Sequence, residues 1–438
     1  MTVIAAVAAL ALQACGSGPG ASGGGGGGTL SVLVAANGQY PDKQKAWFTQ
    51  ISDTFRKSTG AEVHFETFAS AADEQKRIQT SVVSGEGPDI YSLGTTFTPV
   101  AFATGAFLQM GDADWKAVGG KDRFIPATLA ISGPDDAHQV GIPFLSRPFV
   151  MAYNTKLFAE AGIAGPPTTW DELVADGKKL TKGDQFGMAA AYADNFDPWK
   201  FVWMFANQYG NPLVDGKKAR LDDPTLQKAY DAYFGFLTKD HIVNPEAAGW
   251  NAAQSLASFA TGKSAMILMS GPGAIPTLDT SAVKSDYAFA KMPEVPPGAT
   301  ALPAGGRPAT TIVSGDNIAV ASYTKNKDLA LKFVELITSE AEQVNYTKTF
   351  GDLPTNVAAA KQITDTTKQL APIIEAGKAA IPTPFTGAWS EVQLALTNIA
   401  VQSRPDLSAG GVSEAALAGR LAEAQKAAQT AVDRAGGQ

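Results

Sequence analysis

The sequence predicts an α/β protein of two domains, on three observations. The chain has 438 residues, too many for one ordinary core, so two domains are the default. From residue 29 onward, apolar strand-like segments alternate with amphipathic helical ones. Residues 29–36 (TLSVLVAA) form a first buried strand, and 41–59 follow as a helix with Trp47, Phe48, Ile51 and Phe55 on one face, stopped by Gly60. Val63 and Phe65 then alternate with polar neighbours as in a strand, and 73–84 form the next helix. The third observation is the stretch 141–173, around which the chain is organised.

Residues 142–153 are largely apolar and carry almost no charge, as expected of a strand covered on both faces. Pro143 and Pro148 favour extended backbone and oppose a helix interior. Asn154 and Thr155 then start a short helix over 156–161 that Gly162 ends. Pro166 and Pro167 hold the next loop open, and Thr169 stands three residues before Glu172 as a capping box, with Leu173 opening a new apolar face. The order Tyr153-Asn154, short helix, proline loop, Thr169-Trp170-Asp171-Glu172-Leu173 resembles that of bacterial ABC-transporter solute-binding proteins of the carbohydrate class, the maltose/trehalose-type family 1. Pro88-Asp89-Ile90, the run Phe259 to Met266, the helix around Phe333 and Gly351-Asp352-Leu353-Pro354 resemble further parts of the family pattern in the same order. The resemblance implies a type II periplasmic-binding-protein fold. Two α/β lobes are then joined by three crossings, lobe I at about 29–143 plus 312–345 and lobe II at about 148–308 plus 350–438, with the ligand cleft between them.

Residues 1–14 are small, apolar and uncharged, the size of a signal-peptide core and too short to span a bilayer. Cys15, the only cysteine, excludes an intramolecular disulfide and falls where this run ends. Leu12 to Gly16 resembles a lipobox, which implies cleavage before Cys15 and a diacylglyceryl anchor, although Gln13 replaces the usual small residue and no basic residue precedes the core. Residues 16–28, nearly all Gly, Ser, Ala and Pro, would be a flexible tether of roughly 20 Å.

Several residues are candidates for the ligand site. Asn37, Gln39 and Tyr40 form a turn at the carboxyl end of the first strand, where open α/β sheets bind ligands. Thr95 and Thr96 lie just past another strand end, as ligand contacts or as a hydroxyl turn. Arg147 sits where sugar-binding relatives often carry a carboxylate facing the cleft. It is read either as a donor fork for hydroxyls or an acid, or as an ion pair across the hinge. In the aromatic segment 195–209, Asp197 and Trp199 match the family's acid and ring that face sugar, whereas Phe201, Trp203 and Phe205 are read as core. Trp250 is a further aromatic candidate, and Trp389 matches a stacking position. Gly273 occupies a place where relatives often carry a stacking tryptophan, so room is left there for another group.

Charge and composition narrow the function. A net charge of -7 without dense Lys/Arg clusters gives no nucleic-acid surface. His64, His138 and His241 are scattered without metal-ligand spacing, and no Gly-x-Ser-x-Gly elbow occurs between a strand and a helix. Gly262-Lys263-Ser264 is not a phosphate loop, because residue 257 is alanine and a helix precedes it. The reading is therefore a non-enzymatic, monomeric binding lipoprotein on the outer face of the cell membrane. It needs no cofactor or metal, captures a di- or oligosaccharide and delivers it to an ABC permease. An anion, polyamine or peptide ligand, or a secreted glycoside hydrolase, is the alternative.

Overall fold

The structure, a computed structural model, describes residues 28–37, 40–69, 71–194 and 198–436. Twelve strands run in chain order: β1 Thr29–Ala35, β2 Glu62–Phe68, β3 Ile90–Gly94, β4 Ile142–Ser146, β5 Phe149–Asn154, β6 Phe186–Ala189, β7 Val214–Asp215, β8 Lys218–Ala219, β9 Ser264–Ser270, β10 Tyr287–Ala290, β11 Gly315–Val320 and β12 Leu353–Pro354. They build a six-stranded sheet ordered β12-β4-β11-β3-β1-β2, a four-stranded sheet ordered β10-β5-β9-β6, and the ribbon β7-β8.

Each large sheet is the centre of one lobe. In the first, β1 pairs parallel to β2 and β3, while β11 returns from far along the chain and inserts antiparallel between β3 and β4. Helix Pro41–Thr59 covers this sheet with Trp47, Ile51 and Phe55, and Gly60 closes it in the left-handed region that glycine adopts without strain. The second lobe is packed around Trp170, Trp203, Phe205 and Tyr230, with helix Glu414–Ala435 laid on it through Leu417 and Leu421. Gln425 and Gln429 donate to and accept from backbone groups of residues 217–221, which fixes that helix to β8 and its flanks.

The expected single strand over 142–153 is two strands in two sheets. The break falls at Arg147-Pro148, where proline supplies no N–H and the Arg147 N–H turns aside to the Ser314 carbonyl at 2.8 Å. The third crossing also lies later than the sequence suggests, because β12 pairs with β4 in the first sheet and the chain leaves lobe I only after Pro354. The capping box forms as expected: Thr169 Oγ1 accepts from Glu172 N, and Glu172 Oε2 accepts from Thr169 N. No helix among the described residues is long and apolar enough to cross a membrane.

Candidate functional site

A pocket of about 360 Å³ opens where the lobes and the crossings meet. The carboxyl end of β1 forms one wall through Ala35, Ala36 and Asn37. Asn37 Oδ1 accepts the Tyr40 N–H at 2.8 Å, and the Asn37 N–H donates to Gln44 Oε1 at 2.9 Å, so the turn is held by its own side chains. This fixes the Tyr40 ring at the pocket edge, with the Lys43 ammonium 4.5 Å from its centroid. Behind it, Trp47 meets Tyr346 edge-on at 5.2 Å and donates its indole N–H to Glu342 at 2.6 Å. Gly273 is the contribution of lobe II.

The floor is ionic. Arg147 donates from Nε and Nη2 to both oxygens of Asp352, at 2.8 and 2.9 Å, and from Nη1 to Asp316 at 3.0 Å. These residues stand where the chain enters or leaves lobe I: Arg147 between β4 and β5, Asp316 at the start of β11, and Asp352 just before β12, ahead of the third crossing. One guanidinium therefore ties together the lobe I ends of the three crossings. Burial opposes its charge, and the two carboxylates outweigh that, lifting its pKa. Burial likewise raises the pKa of Asp316, with Asp352 adding to the rise and Arg147 opposing it. Beside Asp316, Glu74 is 5% exposed and its Oε1 has no hydrogen-bond partner. Burial first, and the charge of Asp316 second, push its carboxyl up to about 8, so it is mostly protonated at pH 7. Arg147, Asp316 and Asp352 together carry one net negative charge. That suits hydroxyl or ammonium donors and disfavours an acidic ligand.

The other sequence candidates are distributed unevenly. Asn37, Tyr40, Arg147 and Gly273 line the pocket together. For Arg147, the hinge ion pair is what the structure shows, although its side chain keeps 34% of its surface accessible at the pocket. Thr95 is not among the pocket's lining residues: its hydroxyl is buried and donates to the Val313 carbonyl at 3.1 Å, a bond across 218 positions and not a local hydroxyl turn. Thr96 is half-buried in the turn Thr95–Phe97, against which helix Trp389–Ser408 packs. Trp250 is half-buried against the lobe II core. Trp199 and Trp389 correct the expectation of exposed stacking faces. They are 1% and 0% exposed, meet each other edge-on at 6.0 Å, and fill the lobe II core. In helix Pro198–Gln208 nearly every residue is buried, so its aromatics serve packing on all sides. Gln39, Asp197 and Cys15 lie outside the described residues.

Sequence reasoning missed Asp316 and Asp352 as site residues, and Glu74 behind them. Asp352 stood inside a recognised motif, but its partner is 205 positions away and no local pattern marks the pair. The lobes also touch beyond the pocket, where Phe102 meets Phe385 edge-on at 5.6 Å. Among the described residues no cluster of His, Cys, Asp and Glu could hold a metal ion.

Comparison with known proteins agrees with this architecture. The chain is 27% identical over 378 residues to the diacetylchitobiose binding protein DasA of Streptomyces coelicolor, covering 83% of this chain and 82% of that protein. Among solved structures, the MalE sugar-binding protein of Xanthomonas citri superposes with a TM-score of 0.75 at 16% identity, over 93% of this chain and 98% of that one. The maltose-bound MalE3 of T. maritima gives 0.73 at 19% identity, over 91% of this chain and 99% of that one. These two show the shared two-lobe fold. The family model for bacterial extracellular solute-binding proteins matches residues 37–344, and the chain belongs to that family.

Proposed function

We propose that this chain is the capture component of an ABC importer and that its ligand is a carbohydrate, a di- or oligosaccharide held between the lobes and passed to a membrane permease. The observation that carries the reading is the pocket itself. It lies where lobe I and the first crossing, at Arg147, face Gly273 of lobe II, so a ligand seated there touches both lobes. Carboxylates of Asp316 and Asp352 accept from hydroxyls, and the Tyr40 ring offers a face to sugar C–H groups. The similarity to a diacetylchitobiose binding protein supports the class of ligand.

Capture works by population shift. A sugar bridging Asn37 and Tyr40 on lobe I to Gly273 on lobe II binds the closed form better than the open one, and closure follows from that difference. Arg147 acts as the pivot, because its three hydrogen bonds keep the hinge segments in register. No catalytic role is assigned to any residue. Anchoring through Cys15 on the outer face of the membrane, and action as a monomer, belong to the same proposal.

Calorimetric titration with diacetylchitobiose, maltose and maltotriose tests it. Micromolar binding, about -8 kcal/mol, is expected for at least one sugar, because an uptake protein must also release. Absence of heat with all three, together with binding of spermidine or a glycerophosphate, refutes the carbohydrate reading. Of those two, the net negative floor favours the polyamine. Cleavage of the bound disaccharide refutes the non-enzymatic reading.

A further inference from the structure

A second cavity, about 620 Å³, lies within lobe II and shares Gly273 with the polar pocket. It sits at the carboxyl ends of β6 and β9, the side of a sheet on which α/β folds bind ligands. Its wall is apolar: Met188, Phe201, Leu256, Ile267 and Met269, with alanines between them. None of its described lining residues carries a charge, and Ser255, Thr277 and Tyr233 are its polar side chains. A first side-chain carbon built at Gly273 would meet no atom within 4 Å, so the backbone there borders open space. The volume is in the range of small-molecule sites.

We infer that this cavity is a second subsite for the apolar part of the ligand, so that the preferred ligand is a glycoside with an alkyl or aryl aglycone. Its sugar occupies the carboxylate pocket, and its aglycone passes Gly273 into lobe II. The inference rests on the carbohydrate reading for the first half of the ligand. The chemistry follows from what each compartment leaves unsatisfied. A sugar unit in the lobe II cavity would bury several hydroxyls with few partners, which is costly, whereas an alkyl chain or aryl ring leaves nothing unpaired there. The charged floor around Arg147 suits the opposite end of the molecule. Glycine at 273 is what joins the compartments, since a bulky side chain there would occupy the space between them.

The test compares methyl, hexyl and 4-nitrophenyl glycosides of diacetylchitobiose and of maltose by calorimetry on the full chain. The hexyl or nitrophenyl compound is expected to bind at least tenfold tighter than the methyl compound. Ala253→Trp, which fills the cavity from its exposed rim on helix Ala252–Ala260, removes that advantage and leaves methyl-glycoside affinity unchanged. Thr277→Trp serves as a second filling variant. The neutral fluorophore N-phenyl-1-naphthylamine reads the cavity independently of any sugar: it binds the wild type and is lost in both variants. Binding of methyl glycosides with no gain from the aglycone overturns the subsite and leaves the carbohydrate reading intact. Fluorophore binding blocked by both variants, with no glycoside bound, upholds the cavity as an apolar site and refutes the carbohydrate reading alone. Fluorophore bound equally by wild type and variants overturns the subsite.

Discussion

Replacing Arg147 with methionine removes three charge-assisted hydrogen bonds, at 2.8, 2.9 and 3.0 Å, while keeping most of the volume of the side-chain stem. The carboxylates left behind are 10% exposed at Asp352 and 18% at Asp316. Breaking a fully buried pair by removing one partner costs about 3–5 kcal/mol, because the remaining charge is uncompensated. Arg147 is itself 34% exposed at the pocket, and water admitted there offsets part of the loss, so about 3 kcal/mol is expected at pH 7. An unfolding entropy near 2.1 cal/mol/K per residue gives roughly 0.8 kcal/mol/K for about 400 cooperative residues, hence a Tm lower by about 4 °C, and more if one lobe melts alone. Differential scanning calorimetry at pH 7 and pH 4 measures this. The deficit shrinks at pH 4, where the orphaned carboxylates accept protons. It is largely restored at pH 7 by adding Asp316→Asn and Asp352→Asn, which remove the stranded charges. A Tm for Arg147→Met within 1 °C of wild type at pH 7, or a deficit that grows on acidification, refutes the hinge-clamp argument.

Other expectations concern separate parts of the structure. Glu74 keeps its proton in the folded protein up to about pH 8 but loses it near 4.5 when unfolded. Its contribution is therefore complete below pH 4.5 and fades as pH rises through 8, by on the order of 5 kcal/mol. Glu74→Gln should flatten that decline and raise the Tm above wild type at pH 9, which melts across pH 4–9 will check. Trp47→Phe removes the short 2.6 Å bond to the Glu342 carboxylate, which is 8% exposed and keeps the longer bonds from Asn345 Nδ2 at 3.2 and 3.4 Å. A loss of about 2 kcal/mol in urea unfolding and weaker sugar binding should follow. Thr169→Ala removes the hydroxyl half of the capping box and should cost about 1 kcal/mol, without changing ligand affinity in calorimetry. Phe102→Ala deletes the ring contact with Phe385 across the lobes and should weaken ligand binding several-fold by destabilising closure, with the Tm nearly unchanged.

The parts of the fold legible in the sequence were those with local causes. The capping box at Thr169, the glycine stop at Gly60 and the helix Ala252–Ala260 depend on residues within one or two turns of each other. The site was legible only where it is local too: the turn at Asn37 and Tyr40 follows a strand end, and both residues line the pocket. The Arg147 cluster depends on partners 169 and 205 positions away, which only the assembled hinge brings together. Trp199 and Trp389 were misplaced for a different reason. Trp199 stands in a helix apolar on every side, which gives no sign of which face meets solvent, whereas Trp389 opens a mixed helix, and the two rings are packed inside against each other.

The place of β11 in the first sheet bears on how the chain is made. Until residue 320 has been synthesised, β3 and β4 have no strand between them, and the nascent chain cannot finish that lobe. The last strand, β12, must wait for residue 354, after most of lobe II has emerged. The amino-terminal third of the polypeptide therefore cannot complete its sheet alone, and lobe I closes only late in synthesis.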